Sequence, residues 1–281
     1  MARRDARRVS GLEGQVAFIT GAGRGQGRSH AAALAEQGVD IIAVDLCEDI
    51  DTVSYPLSTP SDLDETAAAV KAHGRRVVTY QADVRDMKAL SRAVDAGLSE
   101  FDRLDIVLAN AGIAPSFGLD IEPSESWGNI IDVNLTGVWN TVWVTKQAII
   151  DGNLGGSIVI TSSTAGLKGL ADGSPGADAY VASKHGLVGL MRALALELAP
   201  HSIRVNTVHP TGANTPMVMN DSMQQWIVEN AAVAAAGMQN ALPVDLIEAS
   251  DVTNAILWLV SDMARYVTGI ALPVDAGFTV R

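Results

Sequence analysis

The sequence predicts an α/β fold in which one doubly wound parallel sheet of seven strands carries helices on both faces. Apolar strand candidates alternate with helical segments almost to the end of the chain, and a glycine-rich turn follows the first strand. Most of the strands are continuous Val, Ile and Ala runs, as is typical of strands buried on both faces. Right-handed crossovers then give a doubly wound order. The predicted strands begin near Gln15, Asp40, Arg76, Asp105, Gly156, Ile203 and Ile270.

Capping residues mark several of the helices between these strands. Ser61, Asp86 and the pair Ser250 and Asp251 each precede an apolar helical pattern, where their side chains can accept from unpaired N–H groups. The predicted helical segments include Leu63 to His73, Met87 to Phe101, Trp127 to Ile150, Tyr180 to Ala199 and Val252 to Ser261.

Composition indicates one globular domain. The chain has 281 residues, 48% hydrophobic and 19% charged, and no linker divides it. We predict a single domain over residues 11–281 after a basic, disordered tail over residues 1–10. The formal net charge of -12 disfavours nucleic acid and anionic membranes as partners, and no uninterrupted apolar run is long enough to span a membrane.

Cysteine and histidine usage limits redox and metal chemistry. The single cysteine, Cys47, excludes an intrachain disulfide and fits a reducing cytosol, so we expect a cytoplasmic protein in which Cys47 packs as a small apolar residue. No His, Cys or carboxylate cluster has metal-ligand spacing, so no metal is expected. His185 is expected to pack or hydrogen-bond. His209 is expected to shape its loop, with a hydrogen bond to the cofactor as the alternative.

The glycine-rich turn predicts a dinucleotide site. Glycines let the backbone approach a pyrophosphate with no Cβ in the way, and the helix that follows directs its N–H groups at the phosphates. A tight turn without a ligand is the alternative, but it leaves the close spacing of the glycines unexplained. The residues expected to contact the cofactor here are Gly21, Gly23, Arg24, Gly25, Gln26 and Gly27.

Asp45, at the end of the second strand, decides between cofactors. A carboxylate at this position binds a ribose 2′-OH and repels a 2′-phosphate, which favours NAD over NADP. Arg24 and Arg28 argue weakly the other way, since either could meet a phosphate. Arg24 more readily faces the pyrophosphate or solvent, and we expect NAD.

Tyr180 and Lys184 are the candidate catalytic pair. Residues at i and i+4 share one face of a helix. A lysine cation beside a phenol stabilises the phenolate, which lowers the pKa of the tyrosine toward the working range of an acid/base catalyst. The pattern alone is common on solvated helices, so its weight comes from the dinucleotide site upstream.

Two segments are longer than ordinary loops. Residues 46–60 directly follow the ribose acid, and residues 216–243 are rich in Met, Ala and Val and carry Trp226. Long segments in compact domains are commonly functional covers. We expect residues 216–243 to form an apolar substrate lid, with an oligomer contact as the alternative, and their alanine run at 231–236 predicts a short helix.

Ordered motifs resemble the classical short-chain dehydrogenase/reductase family over about residues 14–277. They are Thr20 to Gly27, Ala82-Asp83-Val84, Asn110-Ala111-Gly112, Asp132-Val133-Asn134, Ser162-Ser163, Tyr180 with Lys184, and Val274 to Gly277. The resemblance implies a Rossmann fold and reversible alcohol oxidation with a nicotinamide cofactor. It also implies cofactor contacts at Leu46, Asp83, Val84, Asn110, Ala111, Gly112, Tyr180, Lys184, Pro210, Thr211, Gly212 and Thr215.

The resemblance assigns four catalytic roles. Tyr180 exchanges the alcohol proton, Lys184 supplies a cationic field and binds the nicotinamide ribose, and Ser163 polarises the substrate oxygen. Ser163 is preferred to Ser162 because its distance from the start of its strand matches the family position. Asn134 is expected to order a water near Lys184, with a helix-kinking or capping amide as the alternative.

The insertion after Asp45, with Tyr55-Pro56-Leu57, resembles the carveol dehydrogenase-like branch of that family, which is associated with mycofactocin. That resemblance implies an apolar secondary alcohol such as a cyclic terpenoid, a cofactor that stays bound beneath the insertion, and an external partner that re-oxidises it. Family members are commonly homotetramers. The chain departs from the family at Pro210-Thr211, where Pro-Gly is usual, and its loop 167–179 is longer, so substrate specificity cannot be transferred.

Two other functions remain open. An NADPH-dependent ketoacyl or ketone reductase would use the same catalytic residues, but Asp45 stands against it. A dinucleotide-binding sensor without chemistry would keep the fold, but such proteins usually lose the tyrosine or the lysine, and Tyr180 and Lys184 are both present.

Overall fold

A computed structural model describes residues 9–115, 119–170, 172–231 and 239–281. The strands are β1 (Val16–Thr20), β2 (Asp40–Asp45), β3 (Val77–Gln81), β4 (Ile106–Ala109), β5 (Gly156–Thr161), β6 (Ile203–Pro210), β7 (Ala213–Asn214), β8 (Ile247–Glu248) and β9 (Ala271–Val274). The helices are α1 (Gly25–Glu36), α2 (Pro60–Ala72), α3 (Met87–Phe101), α4 (Pro123–Ile131), α5 (Gly137–Gly152), α6 (Pro175–Leu198), α7 (Asp221–Glu229) and α8 (Ala249–Val260).

Within these residues, seven parallel strands form one sheet in the order β3-β2-β1-β4-β5-β6-β9. The order reverses direction at β1, which places a crevice between the carboxyl ends of β1 and β4. Strands β1, β2 and β4 are buried along their whole length, as their apolar runs require. The predicted fold class is confirmed.

The core lies on both faces of the sheet. On one face, side chains of β1 and β4 such as Phe18 and Val107 pack with α3, α5 and α6. On the other face, Ile19 and Ile41 pack with α1 and α8. Burial on both faces holds the strand ends in fixed register, and these ends carry the site.

Several helix boundaries differ from the sequence-based expectation, and α6 begins at Pro175 and not at Tyr180. α2 begins before Ser61, because Thr59 and Asp62 form a reciprocal capping box. α8 is capped in the same way by Glu248 and Asp251 and not by Ser250. The helix expected over Trp127 to Ile150 is two helices joined by a π-helical turn, Asp132–Thr136, and such turns bend a helix.

Parts of two predicted segments lie outside the described residues. These are residues 1–8 of the basic tail and residues 232–238, which include most of the alanine run in the predicted lid. None of the helices among the described residues is long and apolar enough to cross a membrane.

Candidate active site

A cavity of about 910 Å³ opens at the carboxyl ends of the sheet strands, where open α/β sheets bind their ligands. Every predicted cofactor-binding residue except Gly23 lines it, and every predicted catalytic residue except Asn134. Gly23 and Asn134 are instead bonded to residues that line the cavity: the N–H of Gly23 donates to Asp45, and the N–H of Ile113 donates to Asn134. The individual roles of these residues stay predictions, but the fold brings them together.

The glycine-rich turn fits a dinucleotide. Gly21 and Gly25 have φ values of 66° and 55°, which glycine adopts without steric cost. A Cβ at Gly27 would collide with the carbonyl oxygen of Gly21, and one at Gly23 would lie 2.9 Å from the Cβ of Ser58. The turn leads into the N-terminus of α1, which favours an anion.

Asp45 is held at the end of β2 by donors from the turn and from the insertion. Its Oδ2 accepts from the N–H of Gly23 at 2.7 Å, and its Oδ1 accepts from the N–H of Cys47 at 3.2 Å and from the hydroxyl of Ser58. A carboxylate has about four acceptor positions, so one remains for a ribose hydroxyl.

Arg24 and Arg28, the two arginines that could have bound a 2′-phosphate, are hydrogen-bonded to other groups of the protein. Arg28 donates to the carbonyl of Gly23 at 2.6 Å and pairs with Asp62 and Glu65 on α2, at 3.2 and 2.6 Å. Arg24 donates to the carbonyl oxygen of Pro56 in the insertion at 2.6 Å. Each guanidinium is therefore attached to α2 or to the insertion.

Asn110 ties strand ends together. Its amide donates to the carbonyl of Thr20 at 3.1 Å and accepts from the hydroxyl of Thr161 at 3.2 Å. The Thr20 hydroxyl accepts in return from the N–H groups of Asn110 and Ala111. The Asn110 side chain thus joins β1, β4 and β5 beneath the cavity.

Asn134 is fully buried in the π-helical turn and clamps the segment after β4. Its Nδ2 donates to the carbonyl of Ile113 at 2.9 Å, and its Oδ1 accepts from the N–H of Ile113 at 2.8 Å. Both polar atoms of the Asn134 amide are therefore bonded to backbone, which supports a positioning role. Lys184 is nearby, since its Nζ would lie 3.6 Å from a Cβ built at Gly112.

The predicted adenine contacts lie after β3. Asp83 forms an ion pair with Arg85, whose Nε and Nη2 both donate to the carboxylate; the shorter contact, from Nη2 to Oδ2, is 2.6 Å. These hydrogen bonds raise the pKa of Arg85. Val84 packs against Gly137, and its carbonyl accepts from Asn140 at 2.9 Å. Both residues line the cavity.

Tyr180, Ser163 and Lys184 converge where β5 meets α6. Ser174 caps α6, so Tyr180 and Lys184 lie one turn apart well inside a stable helix. Ser163 is close enough to Tyr180 for its hydroxyl to oppose the rise in the phenol pKa that burial causes. The Nζ of Lys184 donates to the carbonyl of Thr161 at 3.2 Å and lies 5.4 Å from the centre of the Tyr180 ring.

The neighbouring serine has a different partner. The hydroxyl of Ser162 donates to the carbonyl of Lys184 at 3.0 Å and is buried within the fold. Both serines border the cavity, but the hydroxyl of Ser163 is the one that acts on the pKa of the Tyr180 phenol. This geometry supports the preference for Ser163.

Burial dominates the electrostatics of the catalytic pair. It raises the pKa of Tyr180, against the opposing effect of the Ser163 hydrogen bond, and it lowers the pKa of Lys184 to about 8. The expected lowering of the Tyr180 pKa is therefore wrong for the polypeptide, because the net shift is upward and burial of the phenolate is its largest cause. The same burial makes each group responsive to a charge brought into the cavity.

His209, His185 and Cys47 have packing or hydrogen-bonding environments. His209 is buried; its Nδ1 donates to the carbonyl of Ser163 at 2.7 Å and its Nε2 lies 2.8 Å from the Thr207 hydroxyl. Burial lowers the pKa of His209 to about 4. His185 bonds the carbonyl of Val181 one turn back. Burial, with the charge of Asp45, raises the pKa of Cys47 to about 12, as expected for an unreactive thiol.

The two long segments meet over the cavity. The hydroxyl of Ser222 on α7 donates to the carbonyl of Ser54 in the insertion at 3.0 Å. The short parallel pair β7–β8 closes the base of residues 216–243, next to the loop with Thr211, whose hydroxyl donates to Asn240 at 2.9 Å. The apolar residues of this segment that line the cavity are Met217, Val218, Met219, Met223, Trp226 and Ile227.

Sequence reasoning missed two insertion residues in the site. Ser58 bonds Asp45, and Tyr55 is 5% exposed and accepts from the N–H of Ala114 at 3.0 Å. The position of the insertion directly after the ribose acid was the available signal, but no motif indicates which of its side chains turn inward. No group of three or more His, Cys, Asp or Glu residues suited to a metal ion occurs among the residues described.

Comparison with known proteins decides the family. A family model described as enoyl-(acyl carrier protein) reductase matches residues 21–279. The (-)-trans-carveol dehydrogenase of Rhodococcus erythropolis is 52% identical to the chain, over 96% of the chain and 99% of the relative. The chain belongs to the short-chain dehydrogenase/reductase family.

Solved structures of this family share the whole fold. The carveol dehydrogenase of Mycobacterium avium in complex with NAD is 48% identical, with a TM-score of 0.89 over 98% of this chain and 99% of that one. A short chain dehydrogenase of Mycobacterium paratuberculosis bound to NAD is 44% identical, with a TM-score of 0.89 over 96% and 99% of the two chains. The predicted family and its carveol dehydrogenase-like branch are confirmed.

Proposed function

We propose that this short-chain dehydrogenase/reductase interconverts an apolar cyclic secondary alcohol and its ketone, with NAD as cofactor. The observation that carries the proposal is the convergence of Tyr180, Ser163 and Lys184 at one end of a cavity whose other end holds the glycine-rich turn and Asp45. The chain is an NAD-dependent alcohol dehydrogenase/reductase of this family, and the finer statements concern its substrate and residues.

The cofactor is NAD. The glycine cradle leaves room for a diphosphate, Asp45 has one acceptor position left for a ribose hydroxyl, and the Oε1 of Gln26 is buried without a partner among the described residues. Bound NAD supplies the hydride chemistry at its nicotinamide ring. The alternative of an NADPH-dependent ketoacyl reductase is disfavoured by the carboxylate of Asp45 and by the partners of Arg24 and Arg28.

The residues of the chain move the proton and orient the substrate oxygen. Ser163 donates to that oxygen, so it stabilises negative charge where it develops. Tyr180 takes the proton of the alcohol or returns it to the ketone. Lys184, with its pKa lowered to about 8, is a cation at neutral pH and favours the phenolate once a positive nicotinamide ring shares the site. The presence of Ser163, Tyr180 and Lys184 together disfavours the alternative function, a dinucleotide-binding sensor without catalysis.

Apolar lining argues for the substrate class. Met219, Met223, Trp226 and Ile227 line the cavity that also holds Tyr180, and apolar walls favour a hydrocarbon ring over a charged metabolite. The relatives named carveol dehydrogenase and cyclohexanol dehydrogenase, the second at 36% identity, point to the same class.

A substrate panel tests this function. Purified protein with NAD⁺ should form NADH from cyclic secondary alcohols such as carveol and cyclohexanol, and more slowly from short linear alcohols. Ser163→Ala should lower kcat by about a hundredfold, whereas Ser162→Ala should lower it far less. Equal losses in the two variants, or preference for linear alcohols, would contradict the proposal.

Assembly and cofactor recycling are further parts of the proposal. We expect a cytoplasmic homotetramer, supported by the exposed stack of Trp139 and Trp143 on α5, whose ring centres lie 5.3 Å apart, with Lys146 over the second ring. Light scattering would measure the mass. Because the insertion covers the site, NAD is expected to co-purify and to be re-oxidised by an external redox partner, which native mass spectrometry would check.

A further inference from the structure

Tyr55 brings a second phenol into the cavity that holds Tyr180. It belongs to the insertion, is 5% exposed, and lines the cavity together with the catalytic residues. Its hydroxyl oxygen accepts from the N–H of Ala114 at 3.0 Å. Tyr55 therefore reaches across the cavity from the insertion to the segment after β4.

That segment is fixed at the catalytic end of the site. Ile113, next to Ala114, is clamped on both backbone groups by Asn134, at 2.8 and 2.9 Å. Gly112 lies against the Nζ of Lys184. The oxygen of Tyr55 is thus attached to the wall that carries Lys184, and not to the adenosine end, where Ser58 of the same insertion bonds Asp45.

The Tyr55 hydroxyl has one hydrogen left to donate. A phenol offers one O–H donor besides its acceptor lone pairs, and no acceptor for that hydrogen occurs among the described residues. Burial raises the pKa of Tyr55 to about 12, and the negative charge of a Tyr180 phenolate contributes to that rise. The group therefore stays protonated throughout the working range, and a buried donor without an acceptor is costly.

We propose that Tyr55 is a cofactor-binding residue whose hydroxyl donates a hydrogen bond to a ribose or phosphate oxygen on the nicotinamide half of NAD. The inference rests on the proposed function, since it needs the dinucleotide to lie in this cavity. The insertion then binds the cofactor at both ends, through Ser58 and Asp45 at the adenosine ribose and through Tyr55 at the nicotinamide side.

Binding of cofactor fragments tests the assignment without turnover. Dissociation constants of NADH, ADP-ribose and AMP are measured by calorimetry for the cofactor-free wild type, Tyr55→Phe and Ser58→Ala. We expect Tyr55→Phe to weaken NADH and ADP-ribose about threefold to tenfold, the usual effect of one hydrogen bond, with AMP within twofold of wild type. Ser58→Ala should weaken AMP as well, because it acts at the adenosine end.

The outcomes separate the two proposals. Unchanged binding of NADH and ADP-ribose to Tyr55→Phe would overturn the role of Tyr55. An equal loss for AMP would also overturn it, because that pattern means that the whole insertion has loosened. Failure of the wild type to bind any of the three ligands would instead contradict the proposed function.

Discussion

The inner wall of the cavity and its outer cover are built differently. The inner wall comprises Asn110, Thr161, Ser163, Tyr180 and Lys184, which line the cavity, together with Thr20 and Asn134, which support it. Hydrogen bonds between strand ends and helices fix these residues. The outer cover comprises residues 46–60 and 216–231. Its two parts meet through the bond from Ser222 to Ser54, and α7 has no buried residue.

From this contrast we expect the inner wall to control the chemical step and the outer cover to control the choice of substrate. Reacting groups must be held to within a fraction of an ångström, and the inner wall provides that because each polar group has a buried partner. A cover with half-exposed apolar side chains can adapt to different hydrocarbon shapes at little cost to the fold. Changes in the wall should therefore alter rate or folding, and changes in the cover should alter affinity.

The largest expected effect is in the wall, at Tyr180. Tyr180→Phe removes the acid/base group and keeps the ring, so kcat should fall about a thousandfold. Affinity for NADH, measured by fluorescence titration, should stay within a few-fold of wild type. If turnover of this variant remained within tenfold of wild type, Tyr180 would not be the group that exchanges the proton.

Low pH should destabilise the inner wall through His209, whose ring is hydrogen-bonded to the carbonyl of Ser163. Burial lowers its folded pKa to about 4, from an ordinary value of 6.5. The folded protein therefore favours the neutral imidazole. This contribution to the free energy of unfolding is complete above pH 6.5 and is lost as the pH falls toward 4, by roughly 3 kcal/mol at most.

Urea titrations at several pH values would measure this loss. His30, buried between α1 and α8 with its pKa lowered to about 3, should act in the same direction. The variant His209→Asn should show a weaker dependence between pH 6.5 and 4. A free energy of unfolding that is constant over this interval would contradict the assignment.

The wall was more predictable from the sequence than the cover. Buried strands and glycine turns follow from local patterns, so the ends of β1, β2 and β5 were placed correctly with Asp45 and Ser163. A distortion at Asn134 was open in the sequence only as the alternative of a helix-kinking amide. The bonds from its side chain to Ile113 are tertiary contacts, which local patterns do not reveal. Tyr55 was missed because an irregular segment has no period from which an inward direction can be read.

Asp45 lies at the boundary of the cover, since the glycine-rich turn and the insertion both donate hydrogen bonds to it. Asp45→Asn keeps the shape but removes the charge, so the dissociation constant of NADH should rise about tenfold or more. The value of kcat at saturating NAD⁺ should change little, because the reacting groups lie at the other end of the cavity. A variant with a reduced kcat and unaltered NADH affinity would show that Asp45 supports the wall and does not bind the ribose.

The smallest effect is expected in the cover, at Trp226. Its ring is half-buried on α7 and lines the cavity. Trp226→Ala removes apolar contact worth about 1 kcal/mol, which should raise KM for a cyclic alcohol about fivefold at nearly constant kcat, because ground state and transition state lose the same contact.

Trp143→Ala is the matched control for this prediction. Trp143 is 50% exposed on the outer face of α5, away from the cavity, so KM should stay at the wild-type value. A lowered kcat in Trp226→Ala would mean that the cover also orders the reacting groups, and the division between a catalytic wall and an adaptable cover would then fail. An unchanged KM would remove α7 from the substrate site and favour a contact between subunits, the other role open to residues 216–243.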